Sequence, residues 1–255
     1  MFNVGSHQRG GEELVKASLF ITCLADLFYP QVGKSVVEVL EHYGVEVDFP
    51  MGQTCCGQPA YNSGYHEEAK KAAEQMIRVF EGSTYVVSPS GSCAAMFREI
   101  YPQLFREDEE WRERAEKLAQ KTYEFSEFLV KVLGVKVEAA FPATATYHHS
   151  CHMNRFLGVK EEPITLLNQV EGLTLKDLPY SHDCCGFGGT FSVKMKEIST
   201  AMADTKLSHV EETDTEILIG SDLGCLMHLG GRLHRQGKEI KTMHVAEVLA
   251  KGLKK

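Results

Sequence analysis

VDFPMGQTCCG (residues 47–57) and KDLPYSHDCCG (residues 176–186) run in one register: Asp48 falls over Asp177, Pro50 over Pro179, and each ends in two adjacent cysteines and a glycine. Gly44 and Gly172 stand at matching places just before them. The eight cysteines carry the correspondence along the chain. Cys23, Cys55, Cys56 and Cys93 are spaced C-x31-CC-x36-C, and Cys151, Cys184, Cys185 and Cys225 are spaced C-x32-CC-x39-C. Paired in order, they are offset by 128, 129, 129 and 132 residues. A register held at four landmarks indicates an internal duplication.

Each copy alternates strand and helix. ASLFITC (17–23) is apolar, partly β-branched and bounded, as a buried strand should be. QVGKSVVEVLEHYG (31–44) sets Val32, Val36, Val39, Leu40 and Tyr43 on one helical face, with Gly44 placed to cap it. A strand near 45–49, a helix over 66–82 and a strand within 84–93 follow. The second copy answers with strand 143–151, helix 161–171, strand 173–178, helix 192–212 and strand 216–225. A longer helix is expected over 110–133, its stripe of Trp111, Ala115, Leu118, Thr122, Phe125, Leu129 and Val132 facing a core.

Such alternation implies an α/β fold of two tandem duplicated lobes, each a small parallel sheet with crossover helices. Sites in such sheets form beyond the carboxyl ends of the strands. The cysteines fall at those ends, so residues more than thirty apart should converge on one rim. The stretch GVKVEAAFPAT (134–144) carries the junction. It divides the chain into a flexible extension (1–13), a first domain (14–138) and a second domain (139–255).

Composition narrows the chemistry. With 43% hydrophobic and 24% charged residues among 255, the chain reads as an ordinary globular protein. A net charge of −8 argues against a nucleic-acid surface. No apolar run reaches the roughly 20 residues of a membrane span. ASLFITCLADLF (17–28) has the wrong flanks for a secretion signal, so a cytoplasmic setting and reduced cysteines are expected.

Four thiolates on one rim are ligands for an iron–sulfur cluster or for tetrahedral zinc, since soft sulfur disfavours magnesium and calcium. Zinc sites usually use C-x2-C pairs, and this chain has none. Adjacent cysteines point their sulfurs apart, which suits ligands to different irons. The glycine after each pair lets the backbone come close. All eight cysteines are therefore candidate metal and cofactor ligands.

The CCG pairs, GQPAYNSGY (57–65), PSGSC (89–93), CCGFGGTFSVKM (184–195) and CLMHLGGRL (225–233) resemble the cysteine-rich CCG-domain iron–sulfur proteins. That family includes a subunit of heterodisulfide reductase and the iron–sulfur subunit of glycolate oxidase. Within that family the chain resembles the lactate-utilisation A group, over about residues 15–250. The resemblance implies a cytoplasmic subunit holding a cluster, expected as [4Fe–4S], and transferring electrons. It would act with companion lactate-utilisation proteins B and C in an oxidoreductase taking L-lactate to pyruvate. The family commonly closes each half with C-x-x-C, whereas here Ser90 and Asp222 replace the first cysteine. Cubane and non-cubane clusters both stay open, as does zinc in one half. Ser90 and Asp222 are read as turn residues before oxygen ligands. Two alternatives stand beside this reading: a zinc-stabilised cysteine-rich binding or scaffold module, and a vicinal-dithiol disulfide reductase.

The histidines are not duplicated. His148, His149, His152, His182 and His228 lie within three residues of second-half cysteines, and none does so in the first half. They suggest a mixed Cys/His site or a general base, against the plainer reading of rim histidines. Arg155 and Arg232 could clamp the carboxylate of a small 2-hydroxy acid, though ordinary surface arginines are the simpler account. GFGG (186–189) lacks the full dinucleotide-binding pattern.

Overall fold

A computed structural model describes residues 14–254, so the extension expected over 1–13 lies outside the described residues. Strands β1 (Val15–Leu19), β2 (Val45–Asp48), β3 (Tyr85–Ser88) and β4 (Thr122–Glu124) form one parallel sheet in the order β2-β1-β3-β4. Strands β5 (Ala140–His148), β6 (Glu171–Lys176), β7 (Ile217–Gly220) and β8 (Lys241–His244) repeat it as β6-β5-β7-β8, again all parallel. Parallel neighbours cannot be joined by hairpins, so helices carry the chain across each sheet. The fold is the duplicated α/β arrangement that the cysteine register implied.

The helices follow from their apolar stripes. Helix Pro30–His42 has proline in its first turn and buries Val32, Val36, Val39 and Leu40. Helix His66–Phe80 buries Ala69, Ala73, Met76, Ile77 and Phe80. Its equivalent, Lys196–Glu212, buries Ser199, Ala203, Lys206, Leu207 and Val210, the same five positions 130 residues on.

The single helix expected over 110–133 is a misreading of the stripe. Helix Glu109–Gln120 stops, Thr122–Glu124 pairs with β3 as strand β4, and helix resumes at Phe125. Val86 donates its N–H to the Lys121 carbonyl (2.8 Å), and the Lys121 ammonium is bound by the carbonyls of Glu81 and Ser83. Those long-range bonds outweigh local helical periodicity. Trp111 is half-buried, with the Arg114 guanidinium 4.1 Å from its ring centre. The strands expected through 23, 93, 151 and 225 end earlier, and each of these cysteines starts or enters a helical turn.

The halves share a core. Leu40, Val87, Phe128, Ala145, Leu166 and Leu249 belong to one buried cluster, in which helix Pro30–His42 packs on Val245–Gly252. The leucine, valine and phenylalanine side chains among them each contribute on the order of 1.5–3 kcal/mol by leaving water. The contacts repeat about an approximate two-fold axis. Ala94 and Ala95, after β3, pack on Met153 and Leu157, after β5. Leu223 and Leu226, after β7, pack on Ala25 and Val32, after β1. At Gly91 the halves are so close that a Cβ would lie 2.6 Å from that of Met153.

Candidate metal centre

Three connections in each half deliver four cysteines. After β1, Thr22 caps helix Cys23–Phe28, its side chain accepting from Ala25 N (3.4 Å), which sets Cys23 at the first helical position. After β2 comes the Cys55–Cys56 pair, closed by Gly57 at φ +83°; in the second half Gly186 takes φ +85°. A Cβ on Gly57 would stand 3.3 Å from the Ala69 carbonyl, and one on Gly186 only 2.6 Å from that of Ser199. Both glycines are needed for conformation and for clearance. After β3 and β7, Cys93 and Cys225 sit in the first turns of helices Gly91–Ala95 and Leu223–Arg235.

The sulfurs form a ladder. Cys23 Sγ lies 3.7 Å from Cys55 Sγ, and Cys56 Sγ lies 3.5 Å from Cys93 Sγ. Sulfhydryl bonds from Cys23 and Cys56 hold the Cys55 thiol down at about 3, while hydrogen bonding and burial push Cys23 and Cys56 up. The second half repeats the pattern. Cys184, bonded by Cys151 and Cys185, is held at about 2, with Cys151 and Cys185 raised. Backbone N–H groups of Gly186 and Phe187 approach the Cys184 and Cys185 sulfurs at 3.4 and 3.5 Å. Thiols packed this closely cannot all ionise against one another, and a bound cation would relieve that repulsion. All eight cysteines line a single cavity of about 540 Å³ between the halves.

Ser90 and Asp222 face each other here. Asp222 Oδ1 caps its helix by accepting from Gly224 N (3.1 Å), while Oδ2 accepts from Ser92 N (2.8 Å) and from Ser90 Oγ (3.3 Å). The carboxylate is committed to capping and to joining the halves, in keeping with a turn residue.

The histidines divide. His148 is buried with both ring nitrogens unpartnered, and one of its ring nitrogens and the sulfurs of Cys185 and Cys225 lie within 4.8 Å of one another. Burial drives its imidazole down to about 3, so it is neutral. His152 Nδ1 is 3.5 Å from Cys151 Sγ. His228 meets Ser199 Oγ at 3.2 Å, His149 packs edge-on against Tyr147, and His182 is exposed beside Asp183. The arginines are elsewhere. Arg232 is held by both oxygens of Asp204, Arg155 is exposed and bonds the His182 carbonyl, and neither lines the cavity.

Sequence reading passed over Lys206, which is fully buried with its ammonium donating to the carbonyls of Tyr180 and Ser181 at 3.0 Å. Its signal was a lysine on the apolar stripe between Ala203 and Leu207. A larger groove of about 880 Å³ runs between helix Pro30–His42 and residues 250–254, but no cysteine lines it.

The cysteine-rich (CCG) domain model matches residues 17–98 and 145–230. The chain is 60% identical over 242 residues to lactate utilization protein A 2 of Bacillus cereus (strain AH820), covering 94% of this chain and 100% of that protein. It is 61% identical over 236 residues to lactate utilization protein A of Halalkalibacterium halodurans, covering 92% and 96%. Among solved structures, a hypothetical protein from Helicobacter pylori aligns with a TM-score of 0.64 at 12% identity, over 94% of this chain and 49% of that one, a likeness of fold.

Proposed function

The chain belongs to the cysteine-rich CCG domain family, and from that premise we propose that it is an iron–sulfur electron-transfer subunit of a system oxidising L-lactate to pyruvate. The observation that carries this reading is the pair of four-sulfur ladders lining one cavity. A lone zinc ion needs no such space, and sulfur donors suit iron. Cys23, Cys55, Cys56 and Cys93 would hold one centre, and Cys151, Cys184, Cys185 and Cys225 the other. An iron–sulfur cluster bound there supplies one-electron acceptance and donation.

The chain's own groups prepare those places. Gly57 and Gly186 bring backbone against the sulfurs, the Tyr101 hydroxyl fixes the Cys56 carbonyl (2.9 Å), and Asp222 joins the two rims. Among the described residues no arginine or lysine lines the cavity, so the lactate carboxylate finds no cationic clamp from them there. Lactate oxidation itself therefore falls to a companion, the lactate-utilisation proteins B and C, with this chain carrying electrons in the cytoplasm. No helix among the described residues is long and apolar enough to cross a membrane. We divide the chain after residue 138, each part supplying one ladder.

A second reading has one observation of its own. Thiols 3.5–3.7 Å apart match the edge of a tetrahedron around one ion with bonds of about 2.3 Å, so a zinc-stabilised scaffold is the competitor. Anaerobic purification with iron, sulfide and zinc analysis and an absorption spectrum separates them. Iron with equivalent sulfide and a brown chromophore is expected. A colourless chain with stoichiometric zinc after reconstitution overturns the iron–sulfur reading.

A further inference from the structure

The two cysteine ladders are alike in sulfur and unlike in what lies behind them. Gly57 abuts Ala69 and Ala72, and Gly186 abuts Ser199 and Met202, which sets the following helices in register 130 residues apart. Lys206 therefore occupies the place of Met76. His148, three residues before Cys151, occupies the place of Phe20, three before Cys23. The first-half residues are apolar and satisfied: Phe20 stacks on Phe97 at 4.6 Å, and Met76 Sδ accepts from Thr54 N at 3.2 Å.

We infer that the second cysteine set is built to hold an added electron more tightly than the first, because Lys206 and His148 stand behind it. This rests on the reading that each ladder holds an iron–sulfur centre. Reduction adds negative charge to a group already carrying four thiolates, so a buried cation and N–H donors to sulfur raise its potential. The Lys206 ammonium is wholly buried and bound only to carbonyls, so no carboxylate at hydrogen-bond distance cancels it among the described residues. Charge acts further in such surroundings than in water. Asp183, in the same loop, has a side chain 38% exposed and faces His182 and His209. The His148 ring carries an N–H in either protonation state, its nitrogens have no hydrogen-bond partner, and one of them lies with the Cys185 and Cys225 sulfurs inside 4.8 Å of one another. Asp222 does not discriminate, since it bonds Ser92 N beside Cys93 and caps the helix carrying Cys225.

The test is a potentiometric titration, followed by absorption and electron paramagnetic resonance, of the full chain after anaerobic reconstitution. Iron and sulfide per chain are measured first, so that failure of the cluster reading shows there and not in the potentials. Two reduction waves are expected in the native chain. Lys206→Met should lower the upper wave toward the lower one, which stays in place, and His148→Phe should do the same by a smaller shift. The inference is overturned if either variant, at full iron content, moves the lower wave or neither wave. It is also overturned if both variants lose iron, or if the second ladder takes zinc. If iron fills the second ladder alone, Lys206→Met should still lower the single wave, and an unmoved wave overturns the inference.

Discussion

Ser90 and Asp222, 132 residues apart and at equivalent places in the two halves, are bound to each other, Ser90 Oγ donating to Asp222 Oδ2 at 3.3 Å. At the two places where the family resemblance implied a further cysteine, this chain has a hydrogen bond across the approximate two-fold axis. Ser90 and Asp222 thus make one structural feature and not two separate ones.

Removing that feature should cost stability unequally. Asp222→Ala deletes a helix cap and leaves Ser92 N without its acceptor, for a loss of about 2–4 kcal/mol. Ser90→Ala removes one long hydrogen bond and should cost about 1 kcal/mol or less. Denaturant unfolding of the metal-free chain measures both. Equal losses would contradict the Asp222 assignment. Iron content should survive Ser90→Ala after reconstitution.

Cys56→Ser and Cys185→Ser each replace a buried thiol with a harder, poorly ionised oxygen. Each variant should lose about half the iron of the native chain, that of its own ladder, because metal binding supplies folding free energy to the loops that carry the ligands. Metal per chain after identical reconstitution decides it. Full iron in both variants would refute the ligand assignment.

The glycines after the paired cysteines make a graded prediction. Gly57→Ala and Gly186→Ala both force a side chain into positive φ, at roughly 1–2 kcal/mol each. The added Cβ stands 3.3 Å from its neighbours at Gly57, but 2.6 Å from the Ser199 carbonyl and 2.8 Å from Met202 Cβ at Gly186. Gly186→Ala should therefore be clearly the more destabilising in thermal unfolding, at about 2–4 °C per kcal/mol for a chain of this size.

Glu124 predicts a pH dependence. Burial raises its carboxyl from an ordinary 4.5 to about 8, against N–H bonds from Glu127 and Ser126, with Glu127 adding to the rise. The folded chain thus keeps the proton at neutral pH while the unfolded chain gives it up. Its contribution is fully present below pH 4.5 and is lost as pH climbs to 8, by an amount on the order of a few kcal/mol. Subtracting the unfolding free energies of Glu124→Gln from those of the native chain at pH 5 and pH 8 isolates it from other titrations. The native chain should lose more between those points, and a difference of zero or opposite sign would remove the assignment.

The duplication, the strand–helix alternation and the placing of eight cysteines on strand-end connections were all legible in the chain. Each rests on covalent spacing or short-period apolar patterning, which are local. Strands β4 and β8, three and four residues long, were not legible, because they are strands only through pairing with β3 and β7. The same pairing broke the helix expected over 110–133. Tertiary structure alone decided that Asp222 reaches the first half, that the arginines point away, that His148 and Lys206 lie behind one ladder, and that both ladders open on one cavity. Those outcomes depend on which distant groups are available to satisfy a buried charge or an unpaired backbone group, and only the packed halves supply that choice.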